Sequence, residues 1–150
     1  MTQVLLNLGS NIEPKANILK ALTDLEHILN DMKTSSFYKT KPWGFLKQNH
    51  FLNMSVMGAT SLSPEDLLIA CQSIELKLKR KRLISNGPRS IDIDILMYGD
   101  FIQKTKSLTL PHPGMLIRDF MLIPSIEIAP ELIHPVSKKP LKHHITSIEY

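Results

Sequence analysis

Asn86-Gly87-Pro88-Arg89-Ser90-Ile91-Asp92-Ile93-Asp94-Ile95-Leu96-Met97-Tyr98 contains the clearest periodicity in the chain. From Ile91 to Met97, the apolar Ile91, Ile93, Ile95 and Met97 alternate with Asp92 and Asp94, the period of a strand with one buried face. The two carboxylates therefore share the other face, about 6.6 Å apart along the backbone at roughly 3.3 Å per residue. That is close enough for both to reach one cation or a pair of cations. A half-buried edge strand also carries acids simply to stay soluble, and the alternation alone does not choose between the two readings. Two like charges on a strand face need compensation from a cation, an arginine or open water. Arg89 stands immediately upstream.

The chain has 150 residues, which fits one domain over 1–150 that buries about 68–70% of its unfolded surface. A hydrophobic content of 43% and a charged content of 21% are those of a soluble globular protein. No apolar run approaches the ~18 residues of a membrane span, and Met1-Thr2-Gln3 lacks the basic start of a signal peptide. The single Cys71 excludes an internal disulfide and fits the cytoplasm; it is either a small core residue or a nucleophile. The net charge is +4, with several cations gathered between Lys77 and Arg89, which points to an anionic ligand. With only 6% aromatic residues, the chain lacks the interleaved rings of a nucleic-acid surface. A small phosphorylated ligand, no nucleic-acid partner and a monomer are expected.

Val4-Leu5-Leu6-Asn7-Leu8 predicts a buried strand ended by Gly9-Ser10-Asn11. Ile18, Leu22, Leu25, Leu29 and Met32 form one apolar stripe, predicting a helix from near Pro14 through Met32. Lys33 to Tyr38 looks extended, and a loop runs from Thr40 to about His50. Phe51 to Ala59 alternates as a strand; within it Asn53 is either a turn former or an amide that can donate and accept toward a flat heterocycle. Ser63-Pro64-Glu65-Asp66 predicts a capped helix start, with Leu67, Cys71, Ile74 and Leu78 on the buried side. Arg80 and Arg82 near its end serve either the helix dipole or a ligand. Gly99-Asp100 predicts a turn that lets Phe101-Ile102-Gln103 pair back. In Pro111-His112-Pro113 two prolines hold the imidazole, as a ligand contact or as a plain loop histidine. Beyond Pro124 the chain is rich in proline and lysine, and His143-His144 suits a solvated face better than a metal pair. The order strand, helix, strand, strand, helix, strand predicts an α+β fold: a ferredoxin-like βαββαβ core whose antiparallel sheet carries its helices on one face.

No P-loop and no Gly-x-Gly-x-x-Gly pattern occurs, so phosphates must be held some other way, and two aspartates for Mg2+ with several arginines would do it. Leu8-Gly9-Ser10-Asn11, Phe37-Tyr38-Lys39-Thr40 with Pro42-Trp43-Gly44, Phe51-Leu52-Asn53, Gly87-Pro88-Arg89 with Asp92-Ile93-Asp94, and Pro111-His112-Pro113 with Arg118-Asp119-Phe120 occur in that order. Together, from roughly Leu5 to Pro130, they resemble the 6-hydroxymethyl-7,8-dihydropterin pyrophosphokinases of folate biosynthesis.

That resemblance implies a ferredoxin-like enzyme that transfers the terminal diphosphate of ATP to the pterin hydroxymethyl group and releases AMP. By position, it implies Asp92 and Asp94 as ligands of two Mg2+ ions, and Arg82 and Arg89 as catalytic cations. Thr40, Pro42, Trp43, Phe51, Asn53 and Phe120 match the pterin site. Gln72, Glu75, Arg80, Arg82, Arg89, Ile95, His112 and Arg118 match positions around ATP. Asn86 stands where the family often has tryptophan. Two alternatives stay open from the residues themselves: a ferredoxin-like RNA-binding module and a Mg-dependent phosphohydrolase.

Overall fold

The computed structural model describes residues 1–41, 49–78 and 90–149. β1 (Thr2–Ser10) is followed by α1 (Pro14–Leu25), β2 (Asn30–Thr34), β3 (Tyr38–Thr40), β4 (Phe51–Thr60) and α2 (Pro64–Lys77). Then come β5 (Asp92–Tyr98), the short β6 (Gln103–Lys104) and β7 (Thr109–Leu110), α3 (Asp119–Ile128) and a 3-10 helix, Leu141–Ser147. The main sheet runs β2-β4-β1-β5 and is antiparallel at every pairing, with β3 also on β4. This is the expected βαββαβ order, its second strand divided into β2 and β3. Among the described residues, no helix is long and apolar enough to cross a membrane.

The helices do not lie on one face. Val4, Leu6 and Leu8 of β1 join Ile18, Leu25, Leu67 and Cys71 in one core under α1 and α2. Leu5, Leu96 and Met97 join Met121, Leu122 and Ile128 of α3 in a second core on the opposite face. The expectation of one-sided cover fails because α3, which runs through Pro124, packs on the face opposite α1 and α2.

Three further expectations change. α1 stops at Leu25, and the stripe continued only by coincidence: a turn bonds the Leu29 amide to the Leu25 carbonyl and keeps Leu29 buried, while Met32 already belongs to β2. Asp31, at φ 53, lies inside β2 where the register on β4 shifts between Asn30 and Lys33. Gly99-Asp100 form the expected turn, closed by the Phe101 amide on the Tyr98 carbonyl, but Phe101 and Ile102 lie outside any strand and Gln103 pairs with Leu110 of β7 rather than back on β5. The β5 alternation holds only to Ile95. Leu6 pairs with Ile95 and Leu5 with Met97, so Leu96 is an extra residue, a β-bulge that moves Met97 to the α3 side.

At α2 the local chemistry matches the sequence. The Ser63 hydroxyl accepts from the Asp66 amide at 3.1 Å, and Pro64 opens the helix. Lys77 pairs with Asp24 across the α1–α2 contact, on the solvated side. Ser63→Ala should lower stability by about 1 kcal/mol in urea unfolding and leave ligand binding unchanged. A larger loss would mean the cap also holds the connection from β4.

A polar floor between two strands

Cross-strand partners in a sheet point to the same face, so the β1 register states what the α3 side of the sheet presents. Gly9 lies opposite Asn53 on β4 and opposite Asp92 on β5. One pleat further along, Asn7 lies opposite Ser55 and Asp94. The rows Asn53-Gly9-Asp92 and Ser55-Asn7-Asp94 thus form a polar floor at the end of the face that the second core leaves apolar elsewhere. Asn53 and Asp92 are two inter-strand spacings apart, about 10 Å at the backbone.

On the β4 side, Asn53 is buried and donates through Nδ2 to Thr40 Oγ1 at 2.6 Å. Thr40 lies opposite Phe51, which is also buried. Gly9 is required by close approach: a Cβ there would lie 2.7 Å from Asn53 Oδ1 and 3.9 Å from a Phe51 ring carbon. Phe120, the second residue of α3, comes to the same floor, because Asn7 Nδ2 donates to its carbonyl at 2.8 Å. The far end of α3 is held to β3, where Glu127 accepts from the Tyr38 hydroxyl and from the Ser36 amide and hydroxyl. Those bonds hold the Glu127 carboxyl below its ordinary range and push the Tyr38 hydroxyl up to about 12.

On the other side β5 is the sheet edge, so alternate main-chain groups face outward. The outward Ile93 amide donates to Glu75 Oε2 of α2 at 2.9 Å, and the bulged Leu96 carbonyl accepts from the His112 amide at 2.8 Å. The bulge therefore anchors the histidine loop. Along this edge runs a groove of about 300 Å³ lined by Asp94, Ile95, Lys106, Thr109, His112 and their neighbours. Asp94 lines this groove, and Asp92 and Asp94 are both half-buried.

His112 Nδ1 accepts from the Gly114 amide at 2.9 Å, so the neutral ring carries its proton on Nε2. Burial first, and the neighbouring Arg118 guanidinium second, push its pKa down to about 4. Gly114 makes room for that guanidinium: a Cβ would lie 2.7 Å from Arg118 Nε. Cys71 is a core residue whose thiol burial raises to about 12, which removes it as a nucleophile. His144 hydrogen-bonds Ser137, and among the described residues no group of three or more His, Cys, Asp or Glu side chains could hold a metal unaided.

The structure thus gathers Thr40, Phe51, Asn53 and Phe120 on one side and Glu75, Asp92, Asp94, Ile95, His112 and Arg118 on the other. Gln72 is exposed on α2. Pro42, Trp43, Arg80, Arg82, Asn86 and Arg89 lie outside the described residues. Asn7, Ser55, Glu127 and Gly114, which support the site residues without belonging to the site, were missed. An asparagine inside the apolar Val4–Leu8 run was the available signal for the first.

The sequence model of 7,8-dihydro-6-hydroxymethylpterin-pyrophosphokinase matches residues 5–130. The chain belongs to this family. A pyrophosphokinase of Aquifex aeolicus, named for 2-amino-4-hydroxy-6-hydroxymethyldihydropteridine, is 46% identical over 95% of this chain and 89% of its own length. One of Methylorubrum extorquens is 42% identical over 89% of this chain and 86% of its own. A folic acid synthesis protein of Schizosaccharomyces pombe is 36% identical, and there the match spans 20% of the relative's length. A solved Plasmodium falciparum HPPK-DHPS with pteroate superposes with TM-score 0.77 at 18% identity, covering 97% of this chain and 42% of that one. At that identity the likeness establishes the fold.

Two outcomes follow. Gly9→Ala should displace the Asn53 amide rather than the backbone, weakening heterocycle binding about tenfold, the loss of one well-made hydrogen bond, with little change in unfolding midpoint. Unchanged affinity would remove Asn53 from the site. His112 is easier to protonate unfolded, near pH 6.5, than folded, near 4, so it adds stability fully present above pH 6.5 and lost as pH falls toward 4, by as much as about 3 kcal/mol. Subtracting the urea-unfolding pH profile of His112→Asn from that of the parent should isolate this slope from the like-signed contributions of His134 and His144. A difference flat between pH 4 and 6.5 would contradict a buried neutral imidazole.

Proposed function

We propose that the polar floor is where ATP and a pterin alcohol meet, with the heterocycle over Asn53 and Gly9 and the phosphates at Asp92 and Asp94. The chain is a pyrophosphokinase of folate biosynthesis: it transfers diphosphate from ATP to the hydroxymethyl oxygen of 6-hydroxymethyl-7,8-dihydropterin. In the reaction that oxygen bonds to the β-phosphorus, the bond from that phosphorus to the α–β bridging oxygen breaks, AMP leaves with the bridging oxygen, and the alcohol proton goes to solvent. The observation that carries the assignment to residues is the row Asn53-Gly9-Asp92, which sets an amide and an acid two strands apart across a glycine.

On the pterin side, Asn53 and Thr40 supply donors and acceptors for the ring edge, and Phe51 and Phe120 supply apolar faces for a flat ring. Pro42 and Trp43 are assigned to the same ring by their match to the family motif. On the nucleotide side, the His112 Nε2–H and the Arg118 guanidinium are donors suited to phosphate oxygens, and His112 keeps that role unprotonated at neutral pH. Glu75 fixes the β5 backbone, and Ile95 turns its main chain and apolar flank to the edge groove, as the base of a nucleotide needs. Gln72 lies further out on α2. Arg82 and Arg89 are assigned to the transferring phosphates and Arg80 to the nucleotide.

The acids fit magnesium. Two half-buried carboxylates on one face, with no soft donor among the lining residues, make an oxygen site that leaves positions for water and phosphate, as this ion prefers. Asp92 and Asp94 would hold two Mg2+ ions, which when bound neutralise charge on the phosphate oxygens. Without those ions the two carboxylates would repel the phosphates. The rest of the reading is a monomer that works in the cytoplasm and takes no nucleic-acid partner.

Incubation with ATP, Mg2+ and 6-hydroxymethyl-7,8-dihydropterin should yield AMP and the pterin diphosphate in equal amounts. ADP or free phosphate as product would favour a simple kinase or the phosphohydrolase alternative. Asp94→Asn should keep its fold and pterin affinity yet lose at least 100-fold in turnover, about 3 kcal/mol of barrier. Near-parental AMP formation would sink the metal assignment.

A further inference from the structure

Proline inside a helix has no amide to donate, so the carbonyl four residues earlier loses its normal partner. Pro124 lies inside α3, and the carbonyl it deprives is that of Phe120. Asn7 makes good the loss: its Nδ2 donates to the Phe120 carbonyl at 2.8 Å, from the middle of β1. The Phe120 amide is held as well, by Asp119 Oδ1 at 2.8 Å. Both main-chain groups of the aromatic residue at the floor are thus fixed, one of them by the sheet.

Asn7 is itself tightly placed. It is only 2% exposed, pairs across the sheet with Asp94 on one side and Ser55 on the other, and also donates to Ser55 Oγ at 3.3 Å. Ser55 Oγ lies 2.9 Å from Ser125 Oγ, which donates to the Met121 carbonyl at 2.7 Å. The first turn of α3 is therefore tied to the sheet at two points, and a polar side chain in an otherwise apolar strand has a use. We propose that Asn7 is a positioning residue for the pterin: it supplies the hydrogen bond that Pro124 cannot, and so fixes the Phe120 ring at the required height above Asn53 and Gly9. The role rests on the reading of Phe120 as a wall of the pterin site. It predicts an effect on heterocycle binding and not on phosphate chemistry, because Asn7 reaches no reacting atom.

Pro124→Ala gives a specific rescue, since alanine restores a helix amide to the Phe120 carbonyl. Asn7→Ala should weaken equilibrium binding of the pterin about tenfold, leave kcat within about twofold, and speed amide hydrogen exchange in the first turn of α3. In the Pro124→Ala background the same substitution should cost no more than about twofold, with exchange restored. Asn7→Ser is the milder second variant. Its hydroxyl keeps a polar group beside Ser55 but is one bond shorter, too short to reach the carbonyl, so it should behave as Asn7→Ala does. Ser55→Ala removes the neighbouring contact and spares the Phe120 bond; it should leave pterin affinity within about twofold. Equal losses from Ser55→Ala and Asn7→Ala, or no relief by Pro124→Ala, would overturn the positioning role in favour of general packing. Unchanged exchange would overturn the anchoring itself. A parent protein that binds no pterin would overturn the functional reading and the positioning role together, while the exchange rates would still decide whether Asn7 anchors α3.

Discussion

β1 is paired along both edges, and a strand shows alternate residues to opposite faces; nearly everything in this molecule follows from that constraint. Its even positions Val4, Leu6 and Leu8 are committed to the core under α1 and α2. Its odd positions are therefore committed to α3, and they change character along the strand: Leu5 is apolar, Asn7 an amide, Gly9 without a side chain. A slip of one residue would bury Asn7 under α1 and α2 and put three aliphatic side chains on the face that carries the polar floor. The same register that makes the core thus sets an amide from β4 and an acid from β5 on either side of a glycine.

The edge strand β5 carries a second constraint. Its outward main-chain groups must find partners, and they find them in the elements that also carry polar side chains to the site: Glu75 on α2 and the His112 loop. Satisfying an edge and building a binding groove are here one act. The bulge at Leu96 serves both, turning a carbonyl to the His112 amide and sending Met97 into the α3 core. Arg118 beside His112 reinforces the effect of burial, so the ring remains a neutral donor while the guanidinium supplies the charge.

The strands, both principal helices and the face shared by Asp92 and Asp94 were legible in the sequence, because each rests on local periodicity or on a cap such as Ser63. What was not legible depends on contacts across the sheet. The α1 stripe ran on through Leu29 and Met32 because a turn and a strand happened to keep the same spacing. The bulge at Leu96 hid behind an alternation continuing on paper to Met97. α3 runs through Pro124, and the Asn7 amide, more than a hundred residues away in the chain, bonds the Phe120 carbonyl that the proline cannot. Of the candidate site, Asn53, Asp92, Asp94 and His112 lie around the polar floor and the β5 edge while Gln72 lies further out, and the residues that support them carry no short-range signal.

The central claim is that one face of the sheet holds two ligands side by side, separated by β1. A crystal structure with 6-hydroxymethyl-7,8-dihydropterin and a non-hydrolysable ATP analogue in Mg2+ tests it most directly. The account predicts the pterin over Gly9, its edge on Asn53 and its ring beside Phe120, with the hydroxymethyl group turned toward Asp92 and the nucleotide along the β5 edge at His112. A pterin bound anywhere else, or phosphates with no metal at Asp92 and Asp94, would contradict it.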